Sequence, residues 1–361
     1  MTIGHSELPA ILRRSLDVVA VAVAAAGVIH GASCATPATP VSAAAPTAPR
    51  TAADDDDLWA LAPAESELVL WADMTQFRES AWTKSALRKA APEEIAARAA
   101  ARGFDEVEDA DRLLYATIPA LQEGATILVE QGRMDRERLS AAFRSHHPQT
   151  TASDYRGVGL LAEGQEAIAF LTQRTVVSGP LVAVRATIDC GFGLARSVAS
   201  ETWLSTLQGL LREGRGPSRR LPALAAAMQL SPSKRAQLES EMGEGGTLEQ
   251  VGARLDLGRD LDLAMVGMVA TRQKAQDLAA RLSAALREQR NRPLVFALGL
   301  QSMLDGVRFE AREGRVEFRL TIAEDQRADI ADRIELVAKQ LARRRASATN
   351  NNQGASEGTI P

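Results

Sequence analysis

The sequence is poor in cysteine, histidine and aromatic residues. Its 361 positions hold two cysteines, four histidines and 4% aromatic residues. Two cysteines cannot build the disulfide framework of a small secreted domain, and so few aromatics leave little surface on which bases or sugar rings could stack. The net charge of −4 gives no long-range attraction for a polyanion. We therefore expect no nucleic-acid partner.

The apolar run near the amino terminus is too short to span a membrane. It covers 18–29, whereas a spanning helix needs about 20 apolar residues. The run follows Arg13-Arg14 and ends at the small residues before Cys34, which is the order of a secretory signal. The sequence therefore predicts that 1–34 is a signal peptide and that the protein is exported.

The end of this segment resembles a bacterial lipoprotein signal. Ala32 and Ser33 match the small residues that precede the lipidated cysteine, while Gly31 stands where a branched aliphatic residue is usual. The resemblance implies that Cys34 carries a lipid and anchors the protein to a membrane, in the periplasm or at the outer membrane. Cleavage after Ala35 would instead give a secreted protein, and an uncleaved segment would leave it inserted.

Low-complexity segments flank a folded body. Positions 35–57 are rich in Ala, Thr and Pro and close on four aspartates, and 346–361 are rich in Ser, Asn, Gln and Gly. Such segments cannot bury enough apolar surface to offset the entropy of ordering. We expect a disordered tether, a disordered tail and a body between them.

The body reads as two similar α+β halves, 58–195 and 196–345. Each half shows antiparallel strand pairs that flank an amphipathic helix, and we expect the helices to cover one face of the sheet. The segment 157–164 can be laid on 306–314 with one insertion, which predicts an internal duplication. The expected strands are 67–74, 112–118, 125–131, 155–161, 166–172, 174–178, 248–257, 260–269, 306–312 and 315–322, and the expected helices are 76–89, 92–102, 135–145, 271–290 and 325–345.

The last predicted hairpin alternates apolar and charged residues. Val307, Phe309 and Ala311 alternate with arginine and glutamate, and 315–320 continue the pattern. One face should therefore pack while the other faces water. We expect arginine and glutamate to stand opposite each other on the wet face.

No catalytic motif is complete. Ser231 and Lys234 have the S-x-x-K spacing of penicillin-binding enzymes, but the companion elements are absent. A serine followed by proline also fits a helix cap. Cys190 lies in an apolar context and reads as a small buried hydrophobe.

An acidic cluster is the weak candidate for a site. Asp256, Asp260 and Asp262 alternate with leucines around a turn, so their carboxylates could bind calcium or serve as an acid and base pair. The interpretation that we favour is a solvated strand face, which needs no ligand. His146 and His147 are adjacent at a helix end and cannot readily share a metal, so we expect no metal and no cofactor.

The body also resembles a group of exported α+β proteins of GC-rich bacteria. The strand at 67–74 (ELVLWADM), which leads into a helix, and the segment at 176–179 (VVSG) carry the resemblance, which implies no activity. The sequence therefore favours a non-catalytic binding or assembly module, tethered to a membrane, with an envelope protein as partner. The alternative is an envelope hydrolase that uses the aspartates or Ser231 and Lys234.

Overall fold

The computed structural model describes most of the predicted body. It covers 58–83, 99–122, 124–213, 221–236, 248–290 and 301–328. The predicted signal with Cys34, the tether, the tail and nearly all of the predicted helix at 325–345 lie outside these residues.

Twelve strands in the described residues form one antiparallel sheet. The strands are β1 (Leu68–Asp73), β2 (Ala110–Thr117), β3 (Thr126–Gly132), β4 (Thr151–Tyr155), β5 (Val158–Glu163), β6 (Glu166–Phe170), β7 (Thr175–Pro180), β8 (Leu224–Gln229), β9 (Leu248–Leu257), β10 (Leu261–Val269), β11 (Arg308–Arg312) and β12 (Arg315–Ile322). Their order across the sheet is β11-β12-β10-β9-β8-β1-β2-β3-β7-β6-β5-β4.

Six α-helices have both ends within the described part of the chain, beside shorter helical pieces at 99–102 and 232–236. They are α1 (Met74–Glu79), α2 (Arg136–His146), α3 (Leu181–Gly191), α4 (Thr202–Arg212), α5 (Arg272–Arg290) and α6 (Gln301–Asp305). Short 3₁₀ turns lie at Leu58–Leu61, Val198–Ser200 and Glu324–Gln326. The structure is therefore α+β, as the sequence predicts.

Helices cover both faces of the sheet, which corrects the prediction that they lie on one face. Alternate residues of β1 point to opposite sides: Val69 and Trp71 join the core under α3 and α4, whereas Leu70 and Ala72 join the core under α1 and α2. The reason is that β1 is apolar at successive positions, so both of its faces need cover. We call the α3 and α4 side the front face and the other side, which α5 also covers, the back face.

The two halves of the chain meet at the pairing of β1 with β8. Leu68 lies opposite Met228 and Ala72 opposite Leu224, so the strands of both halves share one ladder. The order β1-β2-β3-β7-β6 outward from this seam matches the order β8-β9-β10-β12-β11. By position β11 corresponds to β6, whereas the sequence alignment sets it beside β5. The internal duplication and the boundary between 195 and 196 stay predictions.

One face of the β11–β12 hairpin is packed and the other carries charged side chains, as predicted. The pairing of these charges differs from the prediction. The register sets Arg308 opposite Arg319, and Glu310 opposite Glu317. Because the turn fixes this register, like charges face each other across the strands. The closest ion pairs run along each strand instead, with Arg312 on Glu310 at 2.8 Å and Arg315 on Glu317 at 2.8 Å, while a longer diagonal pair joins Arg312 to Glu317 across the strands at 3.9 Å.

Candidate functional site

Helix α4 is held on the front face by an apolar stripe. Trp203, Leu204, Leu207 and Leu211 recur at helical spacing and are all buried in the front core. Residues three and four apart share one side of a helix, so the stripe turns toward the sheet. This packing fixes α4 above β8, β9 and β10.

A cleft opens between α4 and the front face of the sheet. Its volume is about 380 Å³, which lies in the range of small-molecule sites. We call it the tryptophan cleft. It is lined by Trp59, Trp71, Ala199, Leu204, Ser205, Gln208, Leu211, Arg212, Leu221, Pro222, Ala225 and Arg254.

Trp71 is the most buried aromatic residue of the cleft wall. Its side chain lies on β1 and is 2% exposed, and its indole Nε1–H has no hydrogen-bond partner among the described residues. A buried donor without an acceptor costs free energy, so most such donors in proteins are paired. The described residues therefore leave this buried donor without an acceptor.

A small residue leaves room between Trp71 and a buried arginine. Ala225 of β8 lies opposite Trp71 on one side and Arg254 of β9 on the other, so the three residues form one row on the front face. Two strand spacings place the Cα atoms of Trp71 and Arg254 about 10 Å apart. A larger side chain at position 225 would fill the space between them.

Arg254 brings one predicted site residue to the edge of the cleft. Arg254 is 7% exposed, and its guanidinium binds the Asp256 carboxylate through two atoms, with Nε to Oδ2 at 2.9 Å and Nη2 to Oδ1 at 2.9 Å. Bidentate pairs of this kind fix both side chains. The structure thus assigns Asp256 the role of holding Arg254.

The other two candidate aspartates make structural contacts. Asp262 lies opposite Asp256 on the neighbouring strand and accepts from the Thr321 hydroxyl at 2.6 Å. Asp260 lies in the turn and accepts from the Glu324 backbone N–H at 3.0 Å. In the described ranges, no three histidine, cysteine or acidic side chains cluster as a metal-binding group.

Ser231 and Lys234 do not form a catalytic pair. Ser231 precedes a short helical segment at 232–236, and its carbonyl accepts from the Arg235 N–H at 2.9 Å. The Lys234 ammonium pairs with the Glu67 carboxylate. The serine occupies the position of a helix cap, and the lysine ammonium pairs with a carboxylate of the residue just before β1.

Cys190 and the histidines also have local roles. Burial raises the pKa of the Cys190 thiol to about 12, and its Sγ lies 3.4 Å from the Arg196 carbonyl oxygen. Such a thiol stays protonated and is a poor nucleophile, as the sequence predicts. His146 contacts the Ala142 carbonyl and His147 stacks on Phe143, both at the end of α2.

A buried carboxyl group on the back face was not predicted from the sequence. Glu130 of β3 is 1% exposed, between Leu113 and Val176 on the neighbouring strands. Its Oε2 accepts from Arg102 at 2.7 Å, and its Oε1 has no donor among the described residues. Burial raises the pKa of Glu130 to about 7, against the opposing effect of the Arg102 charge.

The described helices include none that could cross a membrane, since each is too short or too polar.

Comparison with known proteins gives a fold-level similarity alone. No model of a known protein family matches the chain, and no curated protein matches it. Three solved structures that are similar to it are crystal forms III, I and IV of TP0453, at 9%, 10% and 9% sequence identity. Each similarity covers 78% of this chain and 99% of that chain, with TM-scores of 0.44, 0.44 and 0.45. These values assign no function to the chain.

The residues of the tryptophan cleft were missed because they are distant in sequence. Trp71 and Arg254 meet only through the pairing of β1 with β8 and of β8 with β9. The one local signal was on α4, whose apolar spacing at 203, 204, 207 and 211 indicates an amphipathic helix. That signal predicts the helix on one side of the cleft but not the strand residues on the other side.

Proposed function

We propose that the protein is a non-catalytic binding module of the cell envelope, tethered to a membrane through Cys34. The tryptophan cleft is the observation that carries the binding half of the proposal. The signal-like sequence before Cys34 and the Ala, Thr and Pro tether after it support the other half.

The chemistry of the cleft wall favours binding over catalysis. Arginine side chains contribute donors, leucines and tryptophans contribute apolar surface, and the described part of the lining contains no aspartate, glutamate or histidine. General acid and base catalysis needs titratable groups that converge on a substrate. The side chains of the wall can therefore bind a molecule but do not supply the groups for this kind of catalysis.

The hydrolase alternative has less support from the same residues. Asp256 is engaged by Arg254, Asp262 by Thr321, and Lys234 by Glu67. Each of these three groups therefore has a partner that accounts for its position. No described contact brings an aspartate to Ser231.

The tether is tested by expressing the full-length chain and its Cys34→Ser variant in a bacterium that processes lipoproteins. We expect the wild type to sediment with membranes and its amino-terminal peptide to begin at a diacylglycerol-modified Cys34. The variant should move to the soluble fraction, because one removed lipid removes most of the membrane affinity. Mass spectrometry of the amino-terminal peptide and fractionation are the two measurements.

Two outcomes contradict the tether. One is a wild-type amino terminus that begins after Ala35 without lipid mass, since this indicates secretion. The other is a Cys34→Ser variant that stays with membranes as the wild type does, since this indicates an uncleaved anchor. A Cys190→Ser variant is the matched control and should fractionate like the wild type.

An envelope protein partner stays a prediction from the sequence. Affinity capture from solubilised envelopes with the lipidated chain, beside the Cys34→Ser chain, is the measurement that would identify it.

A further inference from the structure

One end of the sheet is the exposed edge strand β4. No described strand pairs with β4 on the side away from β5, and its residues 151–154 are all exposed. Proteins usually protect such an edge with lysine, proline or a β-bulge, because its free backbone groups can pair with another chain. The sequence of β4, TASDY, contains no lysine or proline, and its register with β5 shows no bulge. Its one charged side chain, Asp154, accepts from the Gly157 N–H at 2.7 Å within the turn.

The turn between β4 and β5 determines which backbone groups of β4 point outward. The turn at 156–157 has two residues, both with positive φ (57° and 80°), as in the type I′ turn of a tight hairpin. In such a hairpin the residues that flank the turn, Tyr155 and Val158, exchange hydrogen bonds, and hydrogen-bonded pairs then alternate along the ladder. The N–H and C=O groups of Ala152 and Asp154 therefore point away from β5.

These outward groups are complementary to a second copy of the same strand. In an antiparallel pair centred on Ser153, Ala152 of each copy stands opposite Asp154 of the other, and all of their outward groups form backbone hydrogen bonds. Thr151 stands opposite Tyr155, and a β-branched residue beside an aromatic ring is a favourable cross-strand pair. In this register no charge faces a like charge. The edge is thus self-complementary, as a two-fold symmetric interface requires.

The other edge strand, β11, has a similar hairpin but repels a second copy of itself. Its turn also has two residues, between the paired Arg312 and Arg315, so the same alternation centres a symmetric pair on Glu310. Glu310 would then face Glu310 of the other copy, and Arg308 would face Arg312. Like charges directly opposite each other are destabilising. Charge therefore protects β11 from pairing with itself, whereas β4 has no such protection.

We propose that the protein forms a two-fold symmetric dimer in which β4 pairs antiparallel with β4 of a second copy, in a register centred on Ser153. The two sheets then become one continuous sheet. A pairing of two five-residue strands buries little surface, so the dimer belongs to the weak, reversible class. This inference goes beyond the binding function proposed above and depends neither on a lipid at Cys34 nor on the tryptophan cleft.

Cysteine cross-linking tests the register. In the proposed dimer the two Ser153 residues form a non-hydrogen-bonded pair, whose Cα atoms lie about 4.5 Å apart, within the range that a disulfide spans. Under a mild oxidant, we expect Ser153→Cys to form a covalent dimer at least 10-fold faster than Glu310→Cys. Glu310→Cys is the matched control, because Glu310 is exposed at the centre of the other edge strand. Both variants are made in the purified full-length Cys34→Ser chain, so that Cys190, which is buried, is the only other thiol.

A second pair of variants tests the dimer without a disulfide. Ser153→Glu sets two carboxylates opposite each other at the centre of the pairing, and we expect it to weaken self-association at least 10-fold. Ser153→Thr is its control, since threonine suits a strand, and it should associate at least as tightly as the parent chain. Sedimentation velocity over a concentration series of the same purified chain measures the dissociation constants. Circular dichroism checks that each variant is folded.

Three outcomes overturn the proposal. One is equal cross-linking of Ser153→Cys and Glu310→Cys, and another is a dimer whose dissociation constant Ser153→Glu leaves unchanged, since this dimer uses another surface. The third is a folded parent chain that stays monomeric at every concentration while Ser153→Cys fails to cross-link. None of these results changes the tether or the cleft, so the failure of the dimer is distinguishable from the failure of the proposed function.

Discussion

At the scale of single residues, six buried side-chain atoms of the described protein lack a hydrogen-bond partner, and two of them belong to Trp71 and Glu130. The Trp71 N–H lacks an acceptor, and Glu130 Oε1 lacks a donor. They lie on opposite faces of the sheet, since Trp71 belongs to the front core and Glu130 neighbours Leu113 and Val176 of the back core. The Glu130 carboxyl group avoids a buried charge by holding a proton, because burial raises its pKa.

Glu130 should make the stability of the protein fall as pH rises from about 4.5 to about 7. Its pKa is raised to about 7 by burial, so the folded state holds a proton that the unfolded state has already released. Replacing it by glutamine, Glu130→Gln, removes this dependence. We expect the wild type to lose on the order of 1–3 kcal/mol relative to the variant between pH 5 and pH 7.5, as measured by urea unfolding.

Glu137→Gln is the control for this experiment, because Glu137 is exposed in the first turn of α2. It should keep the pH dependence of the wild type. A free-energy difference between wild type and Glu130→Gln that is the same at both pH values would contradict the assignment of the proton to Glu130.

At the scale of elements, one carboxylate of the β11–β12 hairpin lies close to three arginine side chains. Glu317 is 7% exposed and lies within 4.0 Å of Arg312, Arg315 and Arg319. Glu310 lies directly opposite on the same face but is mostly exposed and pairs with Arg312 alone. The two glutamates therefore have the same chemistry and different surroundings.

We expect Glu317→Gln to lower the free energy of unfolding by about 1–3 kcal/mol, because it leaves three guanidinium groups without their shared anion. Glu310→Gln should change it by less than about 0.5 kcal/mol, as is usual for an exposed pair. Urea unfolding at low ionic strength measures both, and 1 M salt should narrow the difference. Equal losses in the two variants would contradict this account of the hairpin.

Sequence patterns predicted the helices and strands whose hydrophobic periodicity is strong. They did not predict elements whose composition shows no such periodicity. The expected strands 248–257 and 315–322 match β9 and β12, and the expected helix 271–290 differs from α5 by one residue. β8 was missed because its Ala-rich sequence has no alternation, and β4 because its exposed edge has no apolar face. α3 and α4 were also not predicted, although α4 carries a readable apolar stripe.

The candidate site was less predictable than the fold for a physical reason. The acidic turn was visible in sequence because Asp256, Asp260 and Asp262 are close along the chain. The cleft depends on strand pairs between distant segments and on a register that places Trp71 in a row with Arg254. Local periodicity carries no information on either.

At the scale of the whole molecule, the front core runs across both halves of the chain. Val69 and Trp71 of the first half pack in one cluster with Leu204, Ala227 and Val266 of the second. A side-chain contact outside the sheet also joins the halves, since the Trp82 Nε1–H donates to the Arg259 carbonyl at 3.2 Å. The two halves therefore share a hydrophobic core as well as the hydrogen-bonded strand pairing of β1 with β8.

We expect the body to unfold in one transition despite its length, because separating the halves would expose this shared core. Tryptophan fluorescence, which reports Trp59, Trp71, Trp82 and Trp203, and far-ultraviolet circular dichroism should give the same urea midpoint. Two resolved steps, or midpoints that differ between the probes, would show that the halves unfold independently.

The seam between β1 and β8 also has a consequence during synthesis. β1 emerges from the ribosome early, and the edge that β8 will occupy stays open until the whole first half has been made. A second chain in the same state offers an identical β8 to that edge. Exchange of carboxyl-terminal halves between two nascent copies is therefore the characteristic misassembly of this topology, and crowded expression should favour intertwined dimers over unfolded aggregates.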